Sequence, residues 1–119
     1  MDIEMVRDWA IKLSDVEESF PFGEGTLVFK VGGKIFLLLA LDETPGRLNV
    51  KCDPEKAILL REEFPEAVFP GYHMNKKHWN TVTCDGTASQ KLIKEWISHS
   101  YDSVVSSLPQ KLKKELEGL

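Results

Sequence analysis

Apolar positions recur along the chain in two rhythms, and the changes of rhythm mark the elements. Residues 2–14 read DIEMVRDWAIKLS, with Ile3, Val6, Ala10 and Leu13 at helical spacing and Trp9 widening the stripe. Asp2 is a good N-cap, and the nearby acids suit the positive end of a helix. DVEESFPFGEG follows and reads as a loop by its proline and two glycines. The period then becomes two. TLVFKV and KIFLLLAL are strands on either side of Gly32-Gly33, a tight-hairpin signal. Leu27, Phe29 and Val31 share one face of the first strand, and Val28 and Lys30 share the other. The second strand is apolar on both faces, as a central strand is. After the turn DETPG, RLNVKC alternates, with Leu48, Val50 and Cys52 inward and Arg47, Asn49 and Lys51 outward.

Asp53-Pro54-Glu55 starts a helix, with aspartate as cap and proline in the first turn. Pro65 stops it near Phe64. The stretch FPGYHMNKKHWNTV, residues 69–82, then turns into a fourth strand, HWNTVTC. A long helix is predicted over 88–108. Its stripe holds Leu92, Ile93, Trp96, Ile97, Tyr101, Val104, Val105 and Leu108. Pro109 ends it, and a short polar helix follows. The order is α-β-β-β-α-β-α. It predicts one α+β domain over residues 1–119: an antiparallel sheet, built as a three-stranded meander plus a fourth strand, packed against helices.

Composition narrows the setting. A chain of 119 residues, 42% apolar and 29% charged, is long enough for a core without staples. The longest apolar run, IFLLLAL, has seven residues, whereas about 20 are needed to span a bilayer. MDIEM at the N-terminus has acids where a signal peptide carries basic residues, so a cytoplasmic protein with no membrane partner is expected. Cys52 and Cys84 form no CxxC pair and read as small buried hydrophobes.

Net charge is -4, unevenly spread. Residues 1–24 hold two basic and seven acidic side chains, and residues 25–94 hold ten basic and eight acidic. The middle of the chain is therefore mildly basic, which bears on polyanions more than the total does. The outward sheet face offers Lys30, Arg47, Asn49 and Lys51. Lys34 stands at the hairpin, and Lys76 and Lys77 precede the fourth strand. Tyr72, His73 and Asn75 have the chemistry to reach phosphates or base edges. A DNA role further requires the acidic first helix to pack away from this face.

Other chemistry is thin. His73 and His78 are five apart across a loop-to-strand transition, with no carboxylate between Glu66 and Asp85 to complete a metal site. His78 and Cys84 on one extended strand stand about 20 Å apart, too far for a nucleophile–base pair. Glu17, Glu18 and Glu24 around SFPFG could be imagined as an acid–base pair, but a solvated loop is the simpler account. No cofactor motif is present. Trp79 alternates with Thr81 and Thr83, opposite Val82, and so is expected on the less apolar face.

SFPFG, FKVGGKIF, RLNVKCDPE, PGYHMNKKHWNTV and HSYDSVV, in this order, resemble the MmcQ/YjbR family over nearly the whole chain. The resemblance implies an α+β fold similar to the CyaY/frataxin-like arrangement. It also implies a "double wing" hairpin sheet of the kind labelled DNA-binding, a label that rests on fold analogy. It marks His73, Met74, Asn75, Lys76, His78 and Trp79 as characteristic positions and assigns none of them to catalysis. Its frataxin side raises iron as a minor option, on a first helix thinner in acids than an acidic ridge. The expectation is a monomeric, non-enzymatic binding module without a cofactor. Duplex DNA is the leading partner, held by Lys30, Lys34, Arg47, Lys51, His73, Asn75, Lys76, Lys77 and His78. A protein or small-molecule partner is the alternative.

Overall fold

The computed structural model describes residues 1–71 and 74–117. The chain runs through α1 (Ile3–Ala10), β1 (Val16–Ser19), β2 (Thr26–Val31), β3 (Lys34–Ala40), β4 (Arg47–Lys51), α2 (Pro54–Glu63), β5 (Val68–Pro70), β6 (Trp79–Thr83), α3 (Gln90–Ser106) and α4 (Gln110–Glu117). The strands form one antiparallel sheet in the order β1-β2-β3-β4-β6-β5, and the fold is α+β as expected.

Two strands correct the expected four-stranded sheet. β1 lies where a loop was expected, because VEES holds two acids and no run of β-formers. It is a strand only through its pairing with β2, Val16 to Val31 and Ser19 to Val28. β5 is three residues long and pairs with β6. FPGYHMNKKHWNTV is therefore a hairpin with a strand on each side, not a simple turn out of the second helix. The first helix is also shorter than predicted. It stops at Ala10, and the chain turns back through Asp15, whose φ is 58°.

Strand alternation sorts the sheet into two faces. On one, the row Leu27, Leu39, Leu48, Val82 and Val68 crosses five strands, every member buried. Val6 and Ala10 of α1 and Ile93, Trp96, Ile97 and Val104 of α3 join these residues in one core. The acidic α1 thus packs on the side away from Lys30, Arg47 and Lys51. The Asp2 carboxylate accepts from the Met5 N–H at 2.9 Å, making the predicted cap. Asp53 and Ser89 cap α2 and α3 in the same way.

The β2–β3 hairpin turns at Gly32 and Gly33, with φ of 58° and 80°, a backbone that glycine adopts freely. The register then slips: Phe29 pairs with Leu37, but Lys30 pairs with Ile35. The extra residue, Phe36, turns into the core with Leu37. Ser100 on α3 donates its hydroxyl to the Phe36 carbonyl at 2.5 Å and accepts the Lys51 N–H at 2.8 Å. One buried serine so ties α3 to β3 and β4.

Candidate functional site

On the sheet face opposite α1 and α3, the row Val28, Leu38, Asn49, Thr81 and Phe69 is apolar at its two ends and polar at Asn49 and Thr81. Val28 and Leu38 are buried. The Thr81 hydroxyl donates to Asn49 Oδ1 at 2.6 Å. A cleft of about 590 Å³ lies along this face. Ile35, Leu38 and Ala40 of β3 and Thr26 of β2 line it, with Arg47 and Asn49 of β4 and Thr81 of β6 on the polar side. Phe22 and Glu43, from the loops before β2 and before β4, and Met74 from the β5–β6 loop complete the described lining.

The pairings orient the face. Lys30 lies opposite Ile35, and Lys51 opposite Trp79. The Gly32-Gly33 turn and the described segment 74–78 before β6 therefore lie at the same end of the sheet. Thr26, Ala40, Arg47 and Thr83 form the row at the other end.

The expected cations do not make one positive field. Glu17 lies directly across from Lys30. Arg47 Nε meets Glu43 at 3.4 Å. Lys34 leaves the face: its ammonium is 3.4 Å from the Ser107 hydroxyl at the end of α3. Glu17 and Glu18 fall on opposite faces, and Glu18 bonds Arg7 of α1, so the acids near SFPFG are not gathered. Lys51, Lys76 and Lys77 form no ion pair among the described residues, and His78 is half-buried beside them.

The β5–β6 loop is built from the signature itself. Asn75 Oδ1 accepts the Lys77 N–H at 2.9 Å, and its carbonyl accepts the His78 N–H at 3.1 Å, so Asn75 shapes the turn. The His78 carbonyl accepts the Cys52 N–H at 2.7 Å. A Cβ on Gly71 would stand 2.8 Å from the Trp79 Cβ and 2.9 Å from its carbonyl oxygen, so only glycine fits. Trp79 is half-buried on the polar face, as its alternation predicted. Tyr72 and His73, two of the expected contact residues, lie outside the described residues.

Arg61 and Asn80 are the parts that sequence reasoning missed. Arg61 Nε donates to Asn80 Oδ1 at 2.7 Å, and its Nη2 reaches the carbonyls of Lys76 and Trp79. Buried Asn80 donates in turn to the Ala57 carbonyl at 3.3 Å. The signal was available: Arg61 is four residues from Ala57, the buried residue of α2, and so shares its inward face.

Burial pushes the Cys84 thiol up to about 11 and also raises that of Cys52, which keeps both protonated and weakly nucleophilic. His99 Nε2 accepts the Asp53 N–H at 3.4 Å, and burial followed by nearby Lys56 lowers its pKa. Among the described residues no three His, Cys, Asp or Glu side chains stand close enough to hold a metal ion, and no helix is long and apolar enough to cross a membrane.

A family model described as YjbR matches residues 11–103. The Escherichia coli O157:H7 protein YbdF is 38% identical over 113 residues, covering 95% of this chain and 92% of that protein. The Escherichia coli K12 protein YjbR is 34% identical over 87 residues, 73% of each chain. The crystal structure of the Deinococcus radiodurans protein DR2400, with a DUF419 domain, matches at a TM-score of 0.92 and 39% identity, over 98% of this chain and 88% of that one. A Pseudomonas syringae protein matches at 0.73 and 27%, over 84% and 96%. None of these relatives' names states a ligand or a reaction. The matched residues extend from just after α1 into the last turn of α3, and the chain belongs to the YjbR family.

Proposed function

We propose that the chain is a non-enzymatic binding module that takes a small ligand in the cleft on the polar sheet face. The observation that carries this is the hollow of about 590 Å³, with an apolar β3 floor beside Arg47, Asn49 and Thr81. Small-molecule sites are roughly 300–1,000 Å³ and combine an apolar lining with a few placed polar groups. The protonated thiols and the separated Glu17 and Glu18 support binding over catalysis. The test is a titration of the isotope-labelled full chain with a fragment mixture, read residue by residue by NMR. Shifts are expected at Leu38, Asn49 and Thr81. Shifts confined to other surfaces, or none, overturn the proposal.

Duplex DNA is the second reading. Its support is the placement of the Gly32-Gly33 turn and the segment 74–78 at one sheet end, with Lys51, Lys76 and Lys77 beside Trp79. Three phosphate contacts give a slope of about -3 in log affinity against log salt, and Lys76→Ala with Lys77→Ala reduces it by about 2. A salt-independent affinity, or no binding at low salt, sinks this reading.

A further inference from the structure

We infer that the ligand of this cleft is an amphipathic carboxylate, its acid group held by Arg47 and Asn49 and its apolar body along β3. The inference rests on the cleft proposal above and names the ligand's chemistry.

Arg47 and Asn49 are two residues apart on β4 and face the same side. Both offer hydrogen-bond donors. The Asn49 oxygen is already occupied by the Thr81 hydroxyl, which leaves the amide N–H₂ as the part available to a ligand. Arg47 touches Glu43 only through Nε, at 3.4 Å, with both side chains about half exposed. Exposed ion pairs of this kind hold weakly. A ligand carboxylate meeting the guanidinium in fork geometry makes the stronger contact. The β4 side thus asks for an acceptor, and an anionic one satisfies it best.

The rest of the lining asks for hydrocarbon. Ile35, Leu38 and Ala40 run along the floor from the hairpin end to the Arg47 end. Phe22, 66% exposed, and half-buried Met74 stand over it from two loops. A free phenylalanine side chain in water is a poor resting state and a good cover for an apolar body. Glu43 is the one acid of the described lining and opposes an anion. That opposition gives the inference a distinctive consequence: removing the charge of Glu43 tightens the anion while leaving a neutral ligand alone.

The experiment compares 4-phenylbutyrate with its neutral amide, 4-phenylbutyramide, by NMR titration of the full chain at millimolar concentration. The acid is expected to shift Ile35, Leu38 and Asn49 and to bind about tenfold more tightly than the amide. Arg47→Gln brings the acid down to the amide, and Glu43→Gln tightens the acid alone. Both substitutions are at exposed side chains, and dispersed spectra confirm that the variants fold. Equal binding of acid and amide in the cleft overturns the carboxylate inference and leaves the cleft proposal standing. Weaker acid binding in Glu43→Gln also overturns it. Shifts from neither probe on this face overturn both.

Discussion

At the residue scale, single polar side chains do the joining. Ser100 is fully buried and serves two backbone groups, the Phe36 carbonyl at the bulge and the Lys51 N–H at the end of β4. Ser100→Ala leaves both unsatisfied and is expected to cost about 2 kcal/mol, measured as a fall in the urea midpoint. His99 makes the fold sensitive to acid. Its lowered pKa means that the unfolded chain takes up a proton more readily than the folded one. Its contribution is complete above the ordinary value of 6.5 and is lost as pH falls below it towards the folded value. The melting temperature should drop between pH 7.5 and pH 5.5, and the drop should be smaller in His99→Gln. An equal drop in the variant assigns the effect elsewhere. The signature residues were legible as a cluster but not in their roles. Asn75 offers the same donors and acceptors to a base edge as to its own backbone, and only the turn geometry shows which it uses.

At the element scale, strands with their own alternation could be read directly. Leu48, Asn49 and Val50 take the faces that period two demands. β1 and β5 could not be read, because an edge strand takes its identity from its neighbour. VEES carries no β-pattern, and a three-residue strand ending in Pro70 is too short to show one. The bulge was hidden for a related reason: IFLLLAL is apolar throughout, so no register within it is favoured over another. The β5–β6 hairpin depends on the close approach of Gly71 to Trp79. Gly71→Ala is expected to cost about 1–3 kcal/mol and to loosen the loop that carries Lys76 and Lys77. Hydrogen exchange at Lys77 and His78, whose N–H groups are bonded to Asn75, provides the measurement. Unchanged protection there refutes the role given to Gly71.

At the scale of the whole molecule, charge was the quantity least legible in the chain. Ten basic residues between positions 25 and 94 suggest a positive face. Folding sets Glu17 against Lys30 and Glu43 against Arg47, and turns Lys34 towards α3. These partners are 13, 4 and 73 positions apart, and only the first needs a strand that the sequence did not reveal. The same fold leaves Lys51, Lys76 and Lys77 at the hairpin end and outside the described lining of the cleft, so the two proposed binding modes are separable by mutation. The sequence by itself determined what local physics can determine: the caps of α1 and α2, the Gly-Gly turn, the alternation of β2 and β4, and hence the α+β class. The tertiary structure decided the edge strands, the bulge, the Arg61–Asn80 hub and the cleft. Each of those arises from groups distant in the chain meeting across strands or between helix and sheet, and no window of neighbouring residues contains that meeting.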